Sequence, residues 1–478
     1  MFDASPRRSF GVVPQLVVPL IFGALTVAGC RSVDPSPQLS RAADAVEARL
    51  GARPAWGAGA PALRNPLPTG LAIERALQVH PTIGARLAAV EQAEAQRVAA
   101  ERLPNPSLTA ALGIPIDGDG GTPGGVGLTA PITALLTRPD RIATADAELR
   151  REVLALADLA HRLAEETVRG CITVHHLREQ VALDDERTRV LERLALLRAD
   201  LERRGEGTGS QLTAAMDTLG AAREKAAASR KALALAEASL LSLLGGDDPG
   251  AGCPAIDAST LPPLSAIDAG MPELTAILAD RLDVAAAIAR VEAHGARVET
   301  AELERLGAIA FSLRAEENFV GRQGLFPGIR FEPPILDPGD ARSAAARAAA
   351  LRAVHEAEEV VRLALLEVRR ATIERQGDAE RLAHLRDTRI PAAEEHLRLQ
   401  GLRRAAGEGT ELEVLAANLD LILARRTESS CSADLRTSRL RLARAVGEPF
   451  ARANDPRASD GAVPRTSETR TTKKEGGR

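Results

Sequence analysis

"GEGTELEVLAANL" (residues 407–419) reads as the end of one helix and the start of another: glycines that release the chain from a helix, then a threonine and two acids ahead of an apolar run. A fainter version, "GTGSQLTAAMDTL", begins at Gly207, about 200 residues earlier. Between Arg141 and Arg204 there is no proline, and Leu149, Leu156, Leu163 and Leu177 form one heptad line while Val153, Ala160, Thr167, Val174 and Val181 form the other. A helix over that stretch is about 95 Å long at ~1.5 Å per residue, too long for the centre of a compact domain. It must reverse at the glycines and pack along the helix that follows.

The second half repeats the design over residues 341–406 and 410–446, with Pro391 expected to kink or restart the long helix. Further matches keep nearly the same offset. Val90-Glu91 corresponds to Val291-Glu292, and "LLGG" ending at Gly246 corresponds to "AVGE" ending at Glu448, which marks an internal duplication. The expected layout is a first repeat over 70–250, a linker over 251–270, a second repeat over 271–450 and a disordered polar tail over 451–478. Residues 30–69, rich in Pro and Ala, read as an extended lead into the body.

Ahead of each long helix the apolar period changes to two. In "SLTAALGIPI" (107–116), Leu108, Ala110, Leu112, Ile114 and Ile116 share a face, and in 126–133 so do Val126, Leu128, Ala130 and Ile132. The second repeat offers Ile309, Phe311 and Leu313 within 308–314, and Ile329 and Phe331 opposed to Arg330 and Glu332 within 328–335. Such strands suit a membrane barrel with lipid outside and water inside. Four strands cannot close one, and an open edge cannot sit in lipid, so the chain oligomerises or does not span. Two copies would supply eight strands and three would supply twelve, both permitted closures. The fold class is therefore mainly α with a small β part: duplicated coiled-coil hairpins forming an α-barrel, and four strands per chain contributing to an oligomeric β-barrel.

The composition excludes other classes. Aromatic residues are 2% of the chain, without tyrosine, and the net charge of -4 provides no bulk basic surface for nucleic acid. No GxxxxGK[ST], GxSxG or HExxH is present, so the reading is of a protein without enzymatic activity, driven by a partner. No cofactor or metal is called for. "DGDGG" from Asp117 has Leu128 where a calcium loop needs glutamate, and Cys171 and His175 on one helix face have no third ligand in view and read as packing residues. Asp184 and Asp185 read as a solvated helix face.

Residues 1–29, with Arg7 and Arg8 before an apolar run, read as an export signal. Its end, Leu25-Thr26-Val27-Ala28-Gly29-Cys30, resembles a bacterial lipobox, which implies that Cys30 becomes the acylated first residue, carrying diacylglycerol and a palmitate-type chain. Arg31 in place of aspartate favours the outer membrane, by resemblance to the lipoprotein sorting rule. The remaining Cys171, Cys253 and Cys431 form no dense framework; one pair could bridge, and the sequence does not say which.

Over about residues 66–450 the chain resembles the TolC-like outer-membrane efflux channels. "LAIERALQVHPTIGARLAAVEQAEAQ", "RLPNPSL", "RLDVAAAIARVEA", "EPPILDPGDARSAAARAAAL", "RIPAAEEHLRLQ" and "GEGTELEVLAANLDLILARR" look like family segments in family order. The resemblance implies a homotrimer with a twelve-stranded barrel in the outer membrane and a helical tunnel across the periplasm. An adaptor would dock at the tunnel tip and connect it to an inner-membrane pump. It places the tips at Gly205, Gly207, Ser210 and Leu212 and at Gly407, Gly409, Thr410 and Leu412. Of the family's aperture acids, Glu413 remains, Ala416 has lost its acid, and Thr213 is read as standing opposite Glu413 in the first tip. Three copies of Glu413 would make an acidic ring whose members raise one another's pKa. The plainer reading is a solvated first-turn glutamate favoured by the helix dipole.

The implied function is the channel component of a tripartite efflux system, passing substrates passively. Departures from the pattern keep a second function open. Only Phe311, Phe319, Phe326 and Phe331 lie near the strands, and Pro115, Pro131, Pro333 and Pro334 crowd their ends. A barrel that inserts weakly would leave a non-conducting periplasmic coiled-coil lipoprotein with a structural or docking role.

Overall fold

The computed structural model describes residues 33–51, 53–57, 59–113, 123–246, 252–264, 274–317 and 322–447. Cys30, the export signal, the Asp117 loop, Phe319 and the tail from Ala451 lie outside the described residues. Helices α1 (Ser36–Leu50), α2 (Thr69–Val79) and α3 (Pro81–Glu101) lead into strands β1 (Ser107–Leu112) and β2 (Gly124–Pro131). A short α4 (Thr133–Leu136) precedes α5 (Arg138–Arg203), which reverses into α6 (Gly209–Leu243). The second half repeats the order with α7 (Leu274–Asp280), α8 (Leu282–Glu304), β3 (Ala308–Glu317), β4 (Gln323–Glu332), α9 (Asp340–His384), a π-helical turn (Leu385–Arg389), α10 (Ile390–Ala405) and α11 (Glu411–Val446).

Helix α5 runs unbroken for 66 residues, so it is about 100 Å long at ~1.5 Å per residue. It is the spine of the molecule and packs against α1, α2, α3, α6, α8 and α11. Its seam follows the two heptad lines: Leu149, Val153, Leu156, Ala160, Leu163, Thr167 and Val174 are buried. Farther along, Leu177 and Val181 are only half-buried, and the same two lines continue through Asp184, Leu191 and Ala195. A charged residue therefore occupies the seam where the leucine line led.

Proline 391 acts as the sequence implies. The helical ladder widens into the π turn just before it, and α10 restarts with Pro391 in its first turn, where the missing N–H has no helical partner to lose.

The lead over 30–69 is not simply extended. Residues 36–50 form α1, whose Ala42, Ala43, Val46 and Leu50, at helical spacing, are buried in the main core. The Pro- and Ala-rich composition of the wider segment masked this short amphipathic run. Arg49 at its end donates to the carbonyls of Gly447 and Asp280, tying the lead to the close of the second repeat. The inter-repeat segment lies along the same core: Ile256 bridges Leu67 in parallel, and the Thr69 hydroxyl donates to Thr260 O (2.8 Å).

A charged knot sits at this waist. Arg281, only 6% exposed, donates to Asp283 (2.7 Å), Glu367 (2.7 Å) and Ala445 O (3.0 Å). Arg444 pairs with Glu165 (3.0 Å). Within the knot, burial and the nearby Arg444, Arg49 and Arg281 push the His161 pKa down from 6.5 to about 3. Burial raises the Asp158 pKa against the opposing pull of Arg162.

Three cysteines are free thiols: Cys171 and Cys431 are buried, and Cys253 is half-buried. Cys171 lies in the main core, where burial, with a smaller effect of Cys253, raises its thiol pKa to about 12. His175 turns to Glu179 (3.3 Å), and among the described residues no cluster of three or more His, Cys, Asp or Glu is placed to hold a metal.

The four strands form one antiparallel sheet in the order β1-β2-β3-β4, leaving β1 and β4 as open edges. β4 begins earlier than the 328–335 reading, because Gln323–Pro327 pairs with Leu313–Glu317. Pro327 fits there because one side of an edge strand needs no ladder donor.

Candidate functional site: the helix reversals and the exposed sheet

Both reversals are built from the same two motifs. At the first, Gly205 adopts a left-handed φ of 75°, Gly205 N–H donates to Glu202 O (2.9 Å) and Glu206 N–H to Leu201 O (2.9 Å). At the second, Gly407 has φ 79°, Gly407 N–H donates to Arg404 O (3.1 Å) and Glu408 N–H to Arg403 O (2.9 Å). These paired bonds are Schellman closures, which satisfy carbonyls that a helix end leaves orphaned. Each is followed by a capping box. Thr208 exchanges bonds with Gln211 (both 3.4 Å), and Thr410 N–H donates to Glu413 Oε2 (2.9 Å) while Glu413 N–H donates to Thr410 Oγ1 (3.3 Å).

This corrects the equivalence read from the sequence. Gly205, Thr208 and Gln211 correspond to Gly407, Thr410 and Glu413, so the residue opposite Glu413 is Gln211 and not Thr213. Thr213 instead donates to Gly209 O (2.9 Å), one turn back in its own helix. The missed signal was T-x-x-E and T-x-x-Q, which names the N-cap and fixes the alignment.

Of the expected tip residues, Gly205, Ser210, Gly407, Thr410 and Glu413 are exposed, and Gly207, Leu212, Gly409 and Leu412 are half-buried. Ser210 bonds Thr208 through their hydroxyls (3.0 Å). Ala416 is exposed on the Glu413 side of α11. The acid that joins the two tips is Glu411. It accepts from Arg193 of α5 (2.9 Å) and from Arg404 of α10 (3.0 Å), and the Arg193 bond holds its carboxyl below the usual range.

A third contact joins the hairpins midway along the spine. Asp184 is not a solvated acid; it is 2% exposed and accepts from Ser229 Oγ of α6 (2.7 Å) and Arg426 Nε of α11 (2.9 Å). Gln180, also buried, donates to Arg426 O (2.9 Å). Asp185 does face water, pairing with Arg230 (2.6 Å). The heptad line was the available signal, since Asp184 follows Leu177 by seven residues.

The sheet separates its side chains cleanly. Register places Leu108, Leu128, Leu313 and Pro327 in one row and Ala110, Val126, Ala315 and Leu325 in another, with Phe311, Ile329 and Phe331 on the same face. Most of this face is open: Leu112 is 83% exposed, Ile329 73% and Leu325 66%. The other face carries Thr109, Thr129, Ser312, Arg314, Glu316, Arg330 and Glu332. Phe311 and Phe331 thus stand on the apolar face and Phe326 on the polar one. Among the described residues no helix is long and apolar enough to cross a membrane.

A sequence profile described as outer membrane efflux protein matches residues 274–448. No curated protein matches the chain by sequence. Among solved structures, the chain is similar to the outer membrane protein VceC of Vibrio cholerae, at 17% identity and TM-score 0.65 over 80% of this chain and 96% of that one. It is similar to the Campylobacter jejuni CmeC outer membrane channel at 14% identity and TM-score 0.67, over 79% and 85%. The open state of the Neisseria gonorrhoeae MtrE outer membrane channel gives 18% identity and TM-score 0.59, over 79% and 88%. Residues 274–448 thus match the outer membrane efflux protein profile in sequence, and over about four fifths of its length the chain has the fold of outer membrane channels such as VceC and CmeC.

Proposed function

We propose that the chain is the outer-membrane channel of a tripartite efflux system, a homotrimer through which substrates delivered by an inner-membrane pump and a periplasmic adaptor pass passively. The carrying observation is the four-stranded sheet, with one face apolar and exposed, the other polar, and both edges unpaired. Unpaired backbone groups cannot remain in lipid, so β4 of one copy pairs with β1 of the next and three copies close a twelve-stranded barrel. The apolar face then meets lipid and the polar face lines the pore.

In this reading the helix reversals lie at the periplasmic mouth. The exposed tip residues offer surface to the adaptor, and Glu413 lines the aperture while also capping its helix. Cys30 carries the lipid anchor. The Schellman closures and capping boxes satisfy the backbone at such a tip, and an apolar cluster of Leu191, Ala195, Ala215 and Leu219 packs behind the first one.

The test is reconstitution of the acylated protein in planar bilayers, with its oligomeric state measured in detergent by light scattering. Discrete, stable conductance from a trimer is expected. A monodisperse oligomer without conductance would reject the channel in favour of a structural or docking lipoprotein.

A further inference from the structure

The polar face of the sheet is not uniform. Its rows can be read across all four strands from the register. One row is Thr109–Gly127–Arg314–Phe326; the next toward the strand-joining loops is Ala111–Gly125–Glu316–Gly324; the next toward the helices is Ser107–Thr129–Ser312–Gly328. Within these three rows the bulky side chains are Arg314, Glu316 and Phe326, beside a row of only small ones; Arg330 and Glu332 of the same face stand nearer the helices. Phe326 is the sole large apolar side chain on this face among the described residues, and it is 52% exposed.

Three glycines make room for those three side chains. A Cβ on Gly127 would stand 3.1 Å from Arg314 Cγ and 2.8 Å from Thr109 Oγ1. One on Gly125 would stand 3.0 Å from Glu316 Cγ, and one on Gly324 would stand 2.8 Å from Phe326 Cζ. Each bulky chain therefore lies across a glycine of the wall. Arg314 and Glu316, both largely exposed, pair at 3.4 Å, so charge at this level is balanced within each copy.

We propose that Arg314, Glu316 and Phe326 form a collar on the inner wall of the closed barrel: the arginine–glutamate pairs keep its outer half balanced in charge, and the Phe326 ring narrows it. This rests on the channel reading above. Three copies give three guanidinium–carboxylate pairs around one level of a water-filled pore, where a ring of like charge selects by sign. In the intact collar the two rings cancel. Removing either member leaves a ring of three bare charges of known sign.

The test measures reversal potential in planar bilayers across a potassium chloride gradient, at about 0.1 M salt, where the screening length is still about 10 Å. Arg314→Ala is expected to shift the channel toward cations and Glu316→Ala toward anions. The charge swap Arg314→Glu with Glu316→Arg is expected to restore the original preference. Phe326→Ala is expected to raise conductance without changing ion preference. Equal reversal potentials in wild type, Arg314→Ala and Glu316→Ala, or shifts of the same sign, overturn the collar while leaving a conducting wild type as support for the channel. Absence of wild-type conductance overturns both. Orientation is read separately from modification by a membrane-impermeant charged thiol reagent, followed by mass spectrometry of the labelled site. Phe326→Cys is expected to react and Leu325→Cys to be protected; the reverse pattern would place the collar on the lipid side and end the proposal.

Discussion

Replacing Asp184 by alanine tests whether a single buried carboxylate joins the two hairpins. The residue is 2% exposed and accepts from Ser229 at 2.7 Å and from Arg426 at 2.9 Å. Hydrogen bonds to a charged group contribute about 1.5–3 kcal/mol each, and removing one partner of a buried pair costs about 3–5 kcal/mol. The Arg426 side chain is 28% exposed, so it can regain some water when the carboxylate goes, whereas the Ser229 hydroxyl is left in a buried position. The expected cost is therefore at the low end, about 3 kcal/mol. Arg426→Ala should cost more, since it strands the more deeply buried charge. The double variant should show a coupling of about 1–3 kcal/mol. Chemical denaturation in detergent at fixed protein concentration, followed by fluorescence of the single Trp56 and by circular dichroism, measures all four proteins. Asp185→Ala, which breaks an exposed pair with Arg230, is the control and should cost under about 1 kcal/mol. An Asp184→Ala cost no larger than that of Asp185→Ala, or a coupling near zero, would mean that this carboxylate does not join the hairpins.

The His161 pKa, lowered to about 3 in the fold from 6.5, makes the waist sensitive to acid. The unfolded chain takes up this proton first, so the His161 contribution is fully present above pH 6.5 and is lost as pH falls toward 3. The raised pKa of Asp158 works in the opposite direction, because the folded state holds that proton more tightly. Denaturation midpoints between pH 7 and 4 should therefore fall less steeply in His161→Gln than in wild type; parallel profiles would remove His161 from the account. Gly407→Ala should lower stability by about 1 kcal/mol from backbone strain alone, because a Cβ there meets nothing within 4 Å, and Gly407→Asn should cost less. Calorimetry of the two variants checks the order. Thr410→Ala should cost about 1 kcal/mol through loss of the N-cap, and Glu413→Ala should both weaken that cap and reduce the cation preference of the reconstituted pore. Unchanged ion preference in Glu413→Ala would leave Glu413 as a capping residue only.

Periodicity made most of the scaffold legible. Local spacing decides which residues share a helix face or a strand face, so the heptad lines of α5, the two glycine reversals, the restart at Pro391 and the alternation of all four strands could be read from order along the chain. The departures have equally local causes. The α1 helix was hidden because composition was averaged over a Pro-rich segment that contains a short amphipathic run. The two tips align on their capping threonines, because the N-cap fixes where each helix starts, whereas the several glycines near each turn allow more than one match. The Gln323–Pro327 part of β4 was missed because its pairing partners, Leu313–Glu317, lie across a hairpin.

Order along the chain therefore carries the repeating plan: two helical hairpins, two strand pairs, and the places where each turns. Which distant groups meet depends on the packing of the whole chain. Asp184 lies 45 residues from Ser229 and 242 from Arg426, and Arg314 of β3 meets Gly127 of β2 and shares a row with Phe326 of β4 only through the sheet register. Side-chain spacing along one element carries no information on such partners, because the energy of a buried charge or a seated side chain depends on what the rest of the chain brings against it.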